Sequence, residues 1–274
     1  MPASSPAPAA RVTKATRWWC TKTGRGARSP AVSPFPSRGR LPPPNRVHRK
    51  VFMPELHAAA LLFDMDGTLV DSTAVVEATW GAFAELHSLD LAEVLAFAHG
   101  RPTAATVRHF LSHPALVASE TRRLVEHEES TTEGVREVPG AAEFIAALPR
   151  SAWAVVTSAS RVLASNRMRA AGIPLPDVLI SADDITRGKP DPQGYLLAAD
   201  ALRVNIGSTI VFEDSPAGIR AGIASNALTV AIGTLAAFDG HIERFENFHG
   251  FEVAGQPPAG GVILSMPAPM NCGV

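Results

Sequence analysis

From residue 58 onward, short apolar runs alternate with segments whose apolar positions recur at helical spacing. Ala58 to Phe63, Ala152 to Val156, Val178 to Ile180, Thr209 to Phe212 and Leu228 to Ala231 are rich in branched or aromatic residues and lack a polar face. That is the pattern of short strands buried on both sides, and their alternation with helix-length segments predicts a parallel sheet covered by helices on both faces. Residues 73 to 137 break this rhythm. Val76, Trp80, Phe83, Ala84 and His87 share one helical face, as do Val107, Phe110 and Leu111, and no strand pattern intervenes. An all-helical insertion between the first strand and the rest of the sheet is expected.

Charge divides the chain in two. Residues 1 to 53 hold 11 of the 25 basic residues and none of the 26 acidic ones, so residues 54 to 274 carry 14 basic against 26 acidic, a net charge of −12. The leader is rich in Pro, Ser and Arg without apolar periodicity, so it reads as disordered. A transit peptide, a nucleic-acid-binding arm and upstream sequence translated from too early a start all fit such a composition. The last fits best, because Met53 stands just before the first strand and Pro42-Pro43-Pro44 opposes an amphipathic transit helix. Trp18 and Trp19 are weak support for base stacking, and the acidic body argues against nucleic acid as its partner. Cys20 and Cys272 form neither a zinc pattern nor a disulfide framework, which is compatible with a reducing cytoplasm. No window approaches the roughly 20 apolar residues that span a bilayer.

Candidate chemistry collects where a parallel sheet gathers its ligands, beyond the carboxyl ends of the strands. Asp64 and Asp66 follow the first strand in Asp64-Met65-Asp66-Gly67-Thr68, Thr157-Ser158 follow the second, and Glu213-Asp214 follow the fourth. Lys189 lies between the third and fourth strands in Gly188-Lys189-Pro190-Asp191-Pro192. Two carboxylates one residue apart on a strand end point the same way, and their repulsion calls for a cation or a shared proton. Each piece alone has a plainer reading: a helix cap for one hydroxyl of Thr157-Ser158, an acidic pair at a helix start for Glu213-Asp214, a solvated loop for Lys189.

Together the segments resemble the four motifs of the haloacid dehalogenase-like superfamily, over about residues 58 to 235. The helical insertion resembles the small cap of its subfamily I, which includes sugar-phosphate phosphatases and β-phosphoglucomutase. The resemblance implies a Rossmann-like three-layer core (54–72 and 138–235) and a helical cap (73–137); beyond it lies a tail (236–274) of unassigned role, open to supplying an edge strand or to staying mobile. It implies Asp64 as nucleophile, Asp66 as general acid and base, and Lys189 as the cation beside the phosphoryl group. It further implies Mg²⁺ held by Asp64, the carbonyl of Asp66, Glu213 and Asp214, with Gly67, Thr68 and Thr157 or Ser158 at the phosphate. In the cap, His99-Gly100-Arg101 resembles the segment that closes over substrate in polyol- and deoxysugar-phosphate phosphatases. A helix-start turn, with Gly100 breaking the chain and Thr103 capping, is the plainer reading. His87, His109, His113 and His127 read as ordinary helical positions, Asp71-Ser72 and Pro139-Gly140-Ala141 as the two hinges.

The expected activity is Mg²⁺-dependent hydrolysis of a small sugar or polyol phosphate. A mutase of the β-phosphoglucomutase type shares the motifs, but His99 rather than Lys precedes Gly100, which favours hydrolysis. A regulatory protein on a retired scaffold is opposed by the intact Asp64, Asp66, Lys189 and Asp214. A chain beginning at Met53 is expected to fold and to turn over substrate like the full chain, and loss of soluble protein on expressing it would overturn the reading of the leader.

Overall fold

The computed structural model describes residues 55–234, 242–258 and 260–270; the leader, Met53, both cysteines and the Trp18-Trp19 pair lie outside the described residues. The central sheet has the order β6-β5-β2-β7-β8-β9 with every neighbouring pair parallel. Its strands are β2 (Ala60–Phe63), β5 (Trp153–Val156), β6 (Leu179–Ile180), β7 (Thr209–Glu213), β8 (Leu228–Ile232) and β9 (Glu243–Phe245). Side chains alternate faces along each strand, so the continuous apolar runs fill two layers. Leu62, Ala154, Val156 and Val211 pack with Tyr195 and Ala198 of α7 (Gln193–Ala201) and Ala221 of α8 (Pro216–Ser225). Leu61, Phe63, Val155 and Phe212 pack on the other face with Phe144 and Ile145 of α5 (Ala141–Ala146) and Met168 of α6 (Arg161–Ala170). The α/β architecture follows from those two layers.

The predicted first strand, 58–63, is observed as β2, and a separate strand precedes it. β1 (Glu55–Ala58) pairs antiparallel with β11 (Val262–Ser265), which also pairs with β10 (Glu252–Gly255); Ala59 then donates to the carbonyl of Ser208 and the chain enters the central sheet. The switch is possible because the chain comes back closely at Gly261, where an added Cβ would lie 2.3 Å from the oxygen of Ala58. An apolar run with no turn residue between Ala58 and Phe63 gives no warning of this.

Residues 243–265, open in sequence between an edge strand and a mobile tail, belong to the folded body. β9 extends the central sheet, and Phe245, Phe248 and Phe251 join Phe63, Phe144 and Phe212 in one aromatic cluster. Phe63 stacks on Phe212 with centroids 4.9 Å apart, and Phe248 stacks on Phe144 at 5.4 Å. Phe63 and Phe212 immediately precede Asp64 and Glu213, so this cluster fixes the two strand ends that carry the acidic loops.

The insertion forms α1 (Thr73–Leu86), α2 (Leu91–Ala98), α3 (Thr103–Phe110) and α4 (Pro114–Ser130), with its own buried cluster of Trp80, Phe83, Val94, Val107 and Leu124. It is not wholly without strands. β3 (Val70–Asp71) and β4 (Arg136–Glu137) pair antiparallel, and Arg136 bonds Asp71 at 2.9 Å, so the outgoing and returning chains are tied at one neck. Two residues are too few to show a period in the sequence. No helix among the described residues is long and apolar enough to cross a membrane.

Phe248→Ala tests whether the tail is structural: the fold predicts a loss of about 3–5 kcal/mol, as for other buried Phe truncations, read by urea unfolding. A loss under about 1 kcal/mol would show that the aromatic cluster does not depend on the tail.

Candidate active site

β2 hands the chain to a turn built around Met65. Its side chain is fully buried and its carbonyl accepts from the amides of Thr68, Leu69 and Val70. Gly67 has φ +81° in this turn, and a Cβ there would lie 1.9 Å from Asp214 Oδ2, so only glycine lets the first loop close against the fourth. Asp64 is thereby brought beside Lys189, Glu213 and Asp214.

Lys189 is buried, with its ammonium bonded to Asp64 Oδ1 and 2.5 Å from Glu213 Oε1. Burial alone would lower its pKa; the carboxylates of Asp64 and Glu213 outweigh burial and raise it. For Asp64, burial and then the charge of Glu213 push the carboxyl well above its ordinary value, against the pull of Lys189. Glu213 is saturated: Oε1 also accepts from Tyr195 at 2.8 Å, while Oε2 accepts from the amides of Asp214 and Ser215 and from Ser215 Oγ. Asp214 is different, since its Oδ2 meets His99 Nε2 at 2.7 Å while its buried Oδ1 has no partner among the described residues. Burial raises its carboxyl, opposed by the bond to His99, and that bond in turn raises His99.

Asp64, Glu213 and Asp214 thus offer oxygens all within 4.8 Å of one another, with a single ammonium among them. An orphaned buried oxygen within an all-carboxylate set fits a hard divalent cation such as Mg²⁺. The side chain of Asp66 stands apart from this set: Arg167 Nη1 and Ser72 Oγ both donate to its Oδ1, at 2.9 and 2.7 Å.

A cavity of about 320 Å³ opens over these groups, between core and insertion. Asp64, Asp66, Gly67, Thr157, Ser158 and Asp214 line its floor; His99, Gly100 and Arg101 line it from the insertion. Thr157 Oγ1 accepts from the amide of Ala159, and Ser158 Oγ donates to the carbonyl of Gly100 at 3.0 Å. Neither caps α6. Ser160 does, accepting from Leu163, as Ser215 caps α8. Thr68 is fully buried and does not line the cavity, and Lys189 reaches the site from beneath Asp64. Arg101 lines the cavity but donates to the carbonyl of Phe97 and lies over its ring. Thr103 is not a cap: it begins α3, preceded by Pro102, and its hydroxyl donates to Glu128. Of the four histidines read as ordinary positions, His87 meets Glu120 at 3.4 Å, His109 stacks on Phe97, and His113 and His127 are exposed.

Sequence reasoning passed over Glu128, Arg167, Tyr195 and Gly218, and read Ser72 only as part of a hinge, whereas its hydroxyl bonds Asp66. Arg167 had a signal: it stands four residues after Leu163 and one before Met168, a cation inside the buried stripe of α6.

A sequence model of the haloacid dehalogenase-like hydrolases matches residues 58–226, and the chain belongs to that family. It is an enzyme, a hydrolase. The chain is similar to hexitol phosphatase A of Escherichia coli, with 40% identity over 185 residues covering 66% of this chain and 86% of the relative. Similarity to 2-deoxyglucose-6-phosphate phosphatase 2 of Saccharomyces cerevisiae is 32% over 203 residues, covering 66% and 82%. In fold it resembles CbbY of Rhodobacter sphaeroides, solved with phosphate, at a TM-score of 0.61 and 23% identity over 70% of this chain and 95% of that one.

Gly218 on α8 supplies a test of this packing. Alanine in a helix ordinarily stabilises relative to glycine, but here its Cβ would lie 1.6 Å from Glu213 Oε1. Gly218→Ala is therefore expected to destabilise, by about 1–3 kcal/mol in urea unfolding, as overpacking does. A gain in stability would mean that Glu213 is free to move aside.

Proposed function

We propose that this enzyme is a Mg²⁺-dependent phosphatase that hydrolyses a small sugar or polyol phosphate through an aspartyl-phosphate on Asp64. The observation that carries the reading is the buried Asp64-Lys189-Glu213-Asp214 cluster at the strand ends, opening onto a cavity that also holds Asp66. The names of the two phosphatase relatives support the substrate class.

In this mechanism a carboxylate oxygen of Asp64 attacks phosphorus while Asp66 gives a proton to the departing alcohol oxygen. Water then attacks the aspartyl-phosphate, Asp66 takes its proton, and inorganic phosphate leaves. Lys189 balances charge on Asp64 and on the transferring group, and Glu213 holds Lys189 in place. Mg²⁺, if held by Asp64, Asp214 and the carbonyl of Asp66, would supply positive charge to the phosphoryl oxygens; Glu213, expected as a further ligand, has both oxygens already engaged. Gly67, Thr157 and Ser158 border the phosphate, and His99, Gly100 and Arg101 close the chamber from the cap.

The cavity wall favours hydrolysis of a singly phosphorylated substrate. Glu77 and Glu128 line it, Arg101 is committed to Phe97, and Arg167, which also lines it, is already paired with Asp66 and Glu128. A mutase must hold a second phosphate, and these carboxylates would repel one. A cytoplasmic setting, acting on a diffusible phosphorylated metabolite, completes the reading and is supported by the isolated cysteines.

Phosphate release from hexitol, deoxyhexose, glycerol and glycolate phosphates is expected only with Mg²⁺, lost on chelation and restored by its return. Asp64→Asn is expected to leave the fold by circular dichroism and reduce release to background. Retained turnover would remove Asp64 as nucleophile, and conversion of glucose 1-phosphate to 6-phosphate without phosphate release would move the assignment to the mutase.

A further inference from the structure

Asp66 has the most mobile task in the proposed mechanism, yet its carboxylate is tightly held on one side. Arg167 and Ser72 both donate to Oδ1, and Oδ2 has no partner among the described residues. Asp66 lines the cavity, and Arg167, although only 2% exposed, reaches the same wall from α6.

We propose that Arg167 is a positioning residue: it anchors Asp66 through Oδ1 so that Oδ2 faces the leaving oxygen, and Glu128 of the cap braces the guanidinium. The proposal rests on the phosphatase reading above.

A buried guanidinium is tolerated only when carboxylates balance it and its donors are used. Arg167 meets the first condition with Asp66 at 2.9 Å and Glu128 Oε1 at 3.6 Å. It does not meet the second, because Nε and Nη2 have no hydrogen-bond partner and are closed off from water. A residue selected only to fill this part of the core would be satisfied more fully, or would be apolar. Among the described residues, its directed hydrogen bond is the one to Asp66. With donors from Arg167 and Ser72 on the same oxygen, the carboxylate cannot turn about its Cβ–Cγ bond without losing both. The proton it delivers is therefore carried on Oδ2.

The brace comes from the cap. The other oxygen of Glu128 accepts from Thr103 at the start of α3, and the end of α4 is pinned to α6 where Ser160 and Asn166 donate to Glu129. Arg167 thus has its second anion only while the end of α4 lies on α6, which ties the placement of Asp66 to the docking of the cap.

The choice of leaving group separates positioning from mere structural support. An alkoxide needs a proton as it departs, whereas p-nitrophenolate leaves without one. Arg167→Met is expected to slow the first phosphoryl transfer from 2-deoxyglucose 6-phosphate about 100-fold, in rapid-quench kinetics, while the burst of p-nitrophenolate from p-nitrophenyl phosphate stays within about threefold. KM should change little for either ester. Arg167→Lys keeps the charge without the guanidinium fork, and should show the same split with a smaller loss; it decides the question if Arg167→Met does not fold. Equal losses on both esters would overturn the positioning role and leave the phosphatase reading intact. Absence of phosphate release by the unaltered enzyme from either ester would instead overturn the reading on which it rests.

Discussion

The rest of the site depends on one buried ammonium. Lys189 sits between Asp64 and Glu213, with Asp214 completing a set of carboxylates whose oxygens lie within 4.8 Å of one another. Formal charges in this cluster sum to a deficit of positive charge, in a place where burial already penalises ionisation of Asp64 and Asp214. Such a cluster has two ways to relax: it can bind protons, or it can bind a cation. The raised carboxyls express the first, and the orphaned Oδ1 of Asp214 provides for the second. In the proposed reaction a phosphoryl group would bring further negative charge, and a divalent cation held here would offset it.

Holding like charges together requires a rigid frame, and the frame is hydrophobic. Phe63 and Phe212 stack directly beneath the residues that deliver Asp64 and Glu213, and the tail contributes Phe248 and Phe251 to the same cluster. Aromatic pairs of this kind add about 0.5–1.5 kcal/mol each beyond the area they bury, which helps offset the repulsion between the loops they support. Glycine completes the frame where a side chain would not fit: Gly67 admits Asp214, and Gly218 admits Glu213.

Much of this was legible along the chain. Five apolar runs marked the core strands, and Asp64, Asp66, Lys189, Glu213 and Asp214 were placed at their ends because a parallel sheet collects its polar loops there. What escaped notice depends on distant pairing. β1 carries Glu55 and His57 and lacks the apolar pattern of the core strands, so only the return of β11 beside it makes it a strand. β3 and β4 are too short for any period, and β9 to β11 are runs of three or four residues, nearly as short. Thr68 looked like a phosphate-side hydroxyl from its place in the motif, but the tight turn on Met65 folds it beneath the loop. Glu128 and Arg167 are charged residues on amphipathic helices, where solvent exposure is the ordinary reading, and their burial exists only because α4 packs on α6.

Two charge clusters therefore share one chamber, and they are built on different principles. Around Lys189 the carboxylates belong to core loops, so that cluster is assembled whatever the cap does, save for the contact of His99 with Asp214. Around Arg167 one carboxylate is Asp66 from the core and the other is Glu128 from the cap, so this cluster is complete only when the two parts meet. Asp64 and Lys189, the nucleophile and counter-ion of the proposed mechanism, are thus preorganised by the sheet, while Asp66, its proposed proton carrier, is placed at a junction between core and insertion. In a site divided in this way the partners of Asp64 come from the core loops, whereas the anchoring of Asp66 draws on both core and insertion. On the proposed function, that division puts substrate choice on the wall formed by Glu77, Trp80, Leu95 and Arg101 of the insertion, and phosphate on the floor formed by the core loops.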